Sequence, residues 1–196
     1  MCSSDLIDPN NDFLWELGEA GCGKSVCPGM APGSRRSLGR SARYNGAVAF
    51  VIRDFKWEDF ETLWRLDQEC FPAGIAYSKQ ELKSYIRHQG SFTLVAADGT
   101  GGSVSGFIVA HGGPTGHVIT IDVILTARRA GVGSLLLQAA EDRLRAAGSR
   151  AVGLETAVDN LTALSFYKRH GYSVIRTWPR YYPDGVDALV MKKELA

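Results

Sequence analysis

The chain has 196 residues, 45% hydrophobic and 22% charged, values typical of a single globular domain with a substantial core. A net charge of +1 excludes a protein that binds nucleic acid through bulk positive charge alone. No apolar run approaches the roughly 20 residues of a membrane-spanning helix, and the acidic N-terminus does not fit a secretory signal. We therefore expect a cytoplasmic protein with reduced cysteines, namely Cys2, Cys22, Cys27 and Cys70.

Residues 1–46 differ in composition from the rest of the chain. They are rich in glycine, serine and proline, and Phe13–Leu17 is their one apolar stretch. This composition predicts a mostly disordered N-terminal extension, or residues upstream of the true start of translation. The folded domain is then expected to cover residues 47–196.

The N-terminal region contains a match to the phosphate-loop pattern G-x-x-x-x-G-K-S at 18–25. That pattern binds nucleotide only between a buried strand and a helix, and Pro28 and Pro32 prevent a stable helix here. We do not expect a nucleotide site. A hydrolase that uses Lys24 would bind ATP and would lose that binding when residues 1–46 are deleted.

Strands and helices alternate along the folded domain without internal repeats, which predicts a mixed α/β domain. Ser78 and Glu81 form a capping box at the start of one helix, and Gly148 and Gly171 follow the last two. Helices are predicted at 57–70, 78–88, 132–147 and 160–170, and strands at 47–53, 92–97, 105–111, 117–125, 151–156, 172–178 and 188–192.

The turn ARRAGVGS at 127–134, between a predicted strand and helix, carries the most informative pattern. Gly131 and Gly133 allow a tight turn with exposed amides, and a helix N-terminus adds unpaired N–H donors and partial positive charge. With Arg128 and Arg129, this pattern indicates a phosphate or pyrophosphate site. The alternative is two solvated arginines beside a common Gly-x-Gly turn.

Arg128-x-x-Gly131-x-Gly133 resembles the Q/R-x-x-G-x-G/A signature of the GCN5-related N-acetyltransferase (GNAT) superfamily. The segments CFP (70–72), LETAVDN (154–160), HGY (170–172) and RYYP (180–183) resemble its ribosomal-protein-alanine branch, and the similarity covers residues 48–195. The resemblance implies a three-layer α/β fold: a mostly antiparallel mixed sheet, with a central splayed parallel pair, flanked by helices. Leu125 replaces the family's usual proline, and the loop at 73–76 is longer than in close relatives.

The resemblance also implies acetyl-CoA as co-substrate. The backbone of Ile121, Asp122 and Val123 would pair with the pantetheine arm, and the Val123 amide would face the oxyanion. Asn160 and Tyr167 would add further CoA contacts, although Asn160 also suits a simple helix cap. The pyrophosphate would be held by Arg128, Arg129, Ala130, Gly131, Val132, Gly133 and Ser134.

For catalysis, the resemblance assigns proton acceptance to Glu155 and protonation of the departing sulfur to Tyr167. The alternatives are a solvated residue at a strand end and an aromatic ring packed on the sheet. Arg180, Tyr181 and Tyr182 would hold the acceptor peptide, or would form a packing corner. No metal is expected, because the sequence positions of His88, His111, His117 and His170 show no ligand spacing.

The sequence therefore predicts an acetyl-CoA-dependent N-acetyltransferase that acts by direct transfer in a ternary complex. The favoured acceptor is a protein N-terminal α-amino group of the ribosomal-protein-alanine type. A small-molecule or lysine amine is the alternative acceptor, and a non-catalytic acyl-CoA sensor is the alternative class. We expect a monomer or weak dimer, with no membrane partner and no nucleic acid beyond proximity to the ribosome.

Overall fold

The computed structural model describes residues 41–42, 50–71, 75–99 and 102–195. The phosphate-loop match at 18–25, most of the predicted N-terminal extension and the loop residues 73–74 lie outside these ranges. The predictions made for them stay predictions.

A mixed β-sheet runs through the centre of the molecule. Its strands are β1 (Ser41–Ala42), β2 (Phe50–Asp54), β3 (Ser91–Asp98), β4 (Val104–His111), β5 (Thr115–Val123), β6 (Ala151–Ala157), β7 (Ser173–Trp178) and β8 (Ala188–Glu194). Their order across the sheet is β1-β2-β3-β4-β5-β6-β8-β7. Neighbours pair antiparallel except β5 and β6, which pair parallel, so the predicted sheet architecture is confirmed.

Helices cover both faces of the sheet and complete the three layers. They are α1 (Phe60–Cys70), α2 (Lys79–Arg87), α3 (Val132–Ala146) and α4 (Leu161–Arg169). Alternate residues of β4 point to opposite faces: Phe107 packs with Leu63 and Leu82 beneath α1 and α2, while Ile108 packs with Leu136 beneath α3. None of the described helices is long and apolar enough to cross a membrane.

The strand β1 lies within the predicted N-terminal extension and was not predicted. The other element boundaries follow the sequence predictions closely, with two local differences. The first helix begins as a single 3-10 turn, Trp57–Asp59, before α1. The strand predicted to reach Leu125 ends at Val123, and Leu125 instead begins a second 3-10 turn with its side chain 72% exposed. An apolar side chain at 125 had suggested a longer strand, but no neighbouring element covers it.

The parallel strands β5 and β6 stay together over a short distance only. They pair at three positions, from Thr115↔Ala151 to His117↔Gly153. Beyond that point β5 continues along β4, and β6 continues along β8. The two strands therefore separate, and a gap, which we call the splay, opens in the middle of the sheet.

The connection between α1 and α2 is anchored at Tyr77. The Tyr77 N–H donates to Asp67 Oδ2 at 2.8 Å, and the Tyr77 carbonyl accepts from Gln68 Nε2 at 2.9 Å and Trp64 Nε1 at 3.2 Å. Asp67 is fully buried, and this burial raises the pKa of its carboxyl group to about 7. The loop is thus held by a carboxyl group that is costly to ionise.

This buried carboxyl group predicts a specific dependence of stability on pH. The pKa of Asp67 is about 7 in the folded protein and near 3.8 in the unfolded chain, so the unfolded chain loses the proton first as pH rises. The contribution of Asp67 to the free energy of unfolding therefore falls between about pH 4 and pH 7, and is constant above that. Asp67→Asn keeps an acceptor for the Tyr77 N–H but cannot ionise.

Urea unfolding of the wild type and Asp67→Asn across this pH range measures the effect. The variant should gain stability relative to the wild type as pH rises, by roughly 2–4 kcal/mol in total. Glu69→Gln, an exposed change on the same helix, is the matched control. Parallel pH profiles for the wild type and Asp67→Asn would contradict the burial of this carboxyl group.

Candidate active site

The turn at 127–134, which we call the anion turn after its predicted role, connects the end of β5 to the start of α3. Gly131 is the N-cap of α3 with a φ of 85°, a conformation that favours glycine, and no side chain caps this helix. The first amides of the helix, at Val132, Gly133 and Ser134, therefore have no acceptor within it. Because α3 is 15 residues long, its dipole adds partial positive charge here. These features suit the anion that the sequence predicts at this turn.

The two arginines of this turn are placed differently. Arg128 Nε donates to the Val123 carbonyl at 3.0 Å, and its guanidinium lies 3.6 Å from Cys70 Sγ. Arg129 is exposed and has a φ of 64°. The Arg128 side chain therefore ties the end of β5 to α1, and its contact with the pyrophosphate stays a prediction.

The far side of the turn is braced by α4. Ser134 Oγ lies 3.0 Å from His170 Nε2, and His170 Nδ1 lies 2.8 Å from the Phe166 carbonyl. A side chain at Gly133 would meet the Phe166 ring at 3.6 Å, an ordinary contact. The first turn of α3 is thus packed directly on the last turn of α4.

The end of β5 presents its backbone, rather than its side chains, to the splay. Ile121 and Val123 are buried in the core beneath α3. Asp122 points to the opposite face, is fully buried and accepts from Thr120 Oγ1 at 3.3 Å. Burial, reinforced by Cys70 and Asp67, raises the pKa of Asp122 well above its usual range. The side-chain positions leave the backbone as the part of residues 121–123 that could contact a ligand.

Glycine is required opposite this strand end. A Cβ at Gly106 of β4 would lie 2.6 Å from the Asp122 carbonyl oxygen, closer than any real contact. The sheet is therefore unusually tight at the point where the predicted pantetheine segment ends.

A buried ion pair lies at the closed end of the splay. Glu155 Oε2 is 3.0 Å from His117 Nε2, with side chains 1% and 19% exposed. Burial lowers the pKa of His117, but the charge of Glu155 and its hydrogen bond outweigh burial and raise it overall. Glu155 is thus not a solvated residue at a strand end. Sequence reasoning missed His117, which only the parallel register of His117 beside Gly153 brings to Glu155.

Two more histidines continue from this pair along one face of the sheet. His111 lies opposite His117 in the β4–β5 ladder, and its ring stacks on that of His88 at 4.5 Å. Burial, followed by the neighbouring imidazoles His88 and His117, lowers the pKa of His111 to about 4. These histidines are therefore grouped in space, although their sequence positions suggested scatter. The described residues nevertheless contain no group of three His, Cys, Asp or Glu arranged to hold a metal ion.

Asn160 lies at the start of α4, and Tyr167 lies on the buried face of the same helix. Tyr167 is 1% exposed, and its ring makes edge-to-face contacts with Phe166 and Tyr172 at 5.2 and 5.6 Å. Asn160 Oδ1 accepts from the Ala163 N–H at 3.1 Å, so the residue does cap the helix. Its contact with CoA stays a prediction.

The loop between β7 and β8 contains the predicted acceptor-binding residues. The Arg180 N–H donates to Asp187 Oδ1 at 2.7 Å, with a φ of 52° at Arg180. Tyr181 stacks on Trp178 at 5.5 Å, and Tyr182 is only 6% exposed. Arg180 is therefore exposed at the surface of the loop, Tyr181 is half-buried against Trp178, and the Tyr182 side chain is buried. Their contact with an acceptor stays a prediction.

Comparison with known proteins agrees with this architecture. Residues 57–172 match the model of the Acetyltransferase (GNAT) family. An uncharacterized N-acetyltransferase of Methanocaldococcus jannaschii is 30% identical over 146 residues, which cover 74% of this chain and 91% of that protein. An N-alpha-acetyltransferase of Sulfurisphaera tokodaii is 29% identical, covering 74% and 93% of the two chains.

A solved structure shows the same fold. The ribosomal-protein-S18-alanine N-acetyltransferase from Escherichia coli superposes with a TM-score of 0.68 at 20% identity, over 75% of this chain and 94% of that one. The family match spans both strands of the splay, the anion turn, Glu155 and Tyr167. The chain is therefore an N-acetyltransferase that belongs to the GNAT family.

Proposed function

We propose that this enzyme transfers an acetyl group from acetyl-CoA to the α-amino group at a protein N-terminus. The observation that carries the proposal is the buried His117–Glu155 pair at the closed end of the splay, whose open end is bounded by the anion turn. In this proposal Glu155 accepts a proton at one end of the gap, and the turn after β5 holds phosphate at the other. The relative from Sulfurisphaera tokodaii, named an N-alpha-acetyltransferase, supports a protein N-terminus as the acceptor.

The residues of the splay fit acetyl-CoA. The glycine-capped amides of Val132, Gly133 and Ser134 suit a pyrophosphate, and Arg129 adds exposed positive charge. Beyond His117, the edge of β5 that faces β6 is not paired with that strand, so it can bond an extended amide chain. Asn160 at the start of α4 is a further contact in this proposal. When bound, acetyl-CoA supplies an acetyl group activated as a thioester.

Glu155 and His117 act on the acceptor amine. An amine attacks only after it loses its proton, and a buried carboxylate beside the acceptor can take that proton directly or through water. His117 holds the Glu155 carboxylate in one orientation from the neighbouring strand. In this proposal Glu155 is the proton acceptor and His117 is its positioning partner.

Tyr167 and the end of β5 act on the donor side. A tyrosine hydroxyl is protonated at neutral pH and can give its proton to a departing thiolate. Tyr167 is held rigidly by the aromatic rings of Phe166 and Tyr172, which suits a group that must meet one atom. The backbone N–H of Val123 is the proposed donor to the acetyl oxygen.

The acceptor is proposed to enter between the α1–α2 connection and the β7–β8 loop. In this proposal the exposed Arg180 and the half-buried Tyr181 of the latter loop contact the backbone of the peptide. The finer proposal is an acceptor of the ribosomal-protein-alanine type, with alanine at its first position. It rests on the sequence motifs of residues 154–183 and on the shared fold.

The catalytic roles proposed for Glu155 and Tyr167 predict the effects of replacing them. Glu155→Gln keeps the side-chain shape but cannot accept a proton, so kcat should fall by about 10²- to 10⁴-fold. Tyr167→Phe should lower kcat by a similar factor, and Glu155→Gln should bind CoA with wild-type affinity. Turnover and CoA binding are measured on the same preparations.

Glu194→Gln, an exposed change near the end of β8, is the control and should leave kcat unchanged. Wild-type turnover in both Glu155→Gln and Tyr167→Phe would remove the mechanism. No turnover by the wild type on any amine, with CoA bound, would favour a sensor over an enzyme.

The choice of acceptor is tested by intact-mass analysis of peptides incubated with acetyl-CoA. Peptides that begin with alanine should gain one acetyl group at the α-amine. The same peptides with a blocked N-terminus and a free internal lysine are the matched control and should gain none. Acetylation of free polyamines or aminoglycosides alone would contradict the proposed acceptor.

A further inference from the structure

His170 connects the anion turn to the end of α4 and has no part in the reaction proposed above. Its two ring nitrogens contact Ser134 Oγ and the Phe166 carbonyl, and its ring packs on that of Phe166 at 4.3 Å. We propose that His170 sets the direction of the Ser134 hydroxyl, so that the enzyme takes up a proton when the pyrophosphate of its donor binds. This inference rests on the proposed function, because it assumes that the anion turn holds the donor.

The hydrogen-bond partners determine which nitrogen carries the proton in neutral His170. The Phe166 carbonyl can only accept, so Nδ1, 2.8 Å away, must be its donor. Neutral imidazole has one N–H, so Nε2 must then accept. The contact at 3.0 Å is therefore an O–H of Ser134 donating to Nε2.

This arrangement is unfavourable for an anion at the first turn of α3. The Ser134 hydroxyl donates its only proton to His170. Its oxygen can then only accept hydrogen bonds, and a phosphate has no hydrogen to donate. The Ser134 amide can still donate to the anion, but the side chain opposes it.

Protonation of His170 reverses the polarity of the contact. Nε2 then carries a proton and donates to Ser134 Oγ, while Nδ1 continues to donate to the Phe166 carbonyl. The Ser134 O–H is released and can donate to a phosphate oxygen. The imidazolium also adds a positive charge beside the anion, at a helix C-terminus that favours cations.

The other charged groups around His170 do not supply a competing partner. Lys168 and Arg169 share its turn of α4, Arg129 precedes α3, and Lys193 of β8 approaches Gly171 while its ammonium is paired with Glu141. Within the described part of the chain, no carboxylate lies within ion-pair distance of His170. An anion at the turn is therefore the group that would favour the imidazolium.

Isothermal titration calorimetry with dephospho-CoA tests this coupling. Dephospho-CoA keeps the pyrophosphate but lacks the 3′-phosphate, whose own ionisation near pH 6 would otherwise confuse the proton count. Titrations at neutral pH in buffers of different ionisation enthalpy give the number of protons exchanged. The wild type should take up a fraction of a proton per ligand bound, because an anion at the turn favours the imidazolium form of His170.

Two variants separate the parts of this account. Ser134→Ala should weaken binding about fivefold at pH 6, with a smaller loss at pH 8, because the wild-type hydroxyl donates to the ligand only while His170 is protonated. His170→Gln should remove the proton uptake and flatten the dependence of Kd on pH. Should His170→Gln not fold, Ser134→Ala still gives the comparison of the two pH values.

The outcomes distinguish this inference from the proposed function. Tight binding of dephospho-CoA without proton uptake, or with uptake that survives in His170→Gln, would overturn the role of His170 and leave the donor assignment intact. If Ser134→Ala lost the same affinity for dephospho-CoA at pH 6 and pH 8, the role of His170 would also be overturned. No binding of dephospho-CoA or CoA at any pH would overturn the donor assignment itself.

Discussion

The separation of β5 from β6 after His117 and Gly153 is the constraint on which the rest of the site depends. Buried backbone N–H and C=O groups need partners, and two central strands that diverge give up their shared hydrogen bonds. The sheet is otherwise continuous across its described strands, with β5 fixed to β4 and β6 fixed to β8. A gap held open between two paired halves of the sheet therefore suits an extended ligand, and the turn after β5 is the proposed anion site at its mouth.

Burial shifts the pKa values of several acidic and basic side chains around this gap. On the α1 face, Asp67 and Asp122 are both fully buried with raised pKa values, so they favour their neutral forms. At the closed end, Glu155 has a histidine within ion-pair distance and His111 is held neutral. In the proposed reaction, the acid that accepts a proton is thus the one with a histidine beside it, whereas Asp67 accepts from the Tyr77 N–H and Asp122 accepts from Thr120.

Much of the fold followed from local sequence patterns. Periodicity located the helices and strands, the Ser78–Glu81 capping box was found as predicted, and the Gly131 turn adopted the positive φ that its glycine indicated. Glu155 and Tyr167 were singled out by motif, and both lie in the interior. Their catalytic roles remain proposals.

Features that depend on contacts between distant segments were not predictable in this way. Nothing in the sequence near Arg128 shows that Cys70, 58 residues earlier, will draw its guanidinium inward. His117 and Glu155 lie close together because β5 and β6 pair in one particular register. Ser134 and His170 lie close together because the first turn of α3 packs on the last turn of α4. The burial of Tyr182 likewise depends on how its own loop folds, with the Tyr182 N–H donating to the Val186 carbonyl. Each is set by tertiary packing, which overrides the local pattern.

The central claim is that the splay and its turn form one binding site for the donor. Backbone amide NMR during a titration with CoA tests it most directly. The account predicts large shifts and slowed hydrogen exchange at the amides of residues 121–123 and 131–134, with little change on the distant β2–β3 edge. Saturable CoA binding that left both segments unchanged, and instead shifted amides elsewhere, would contradict it.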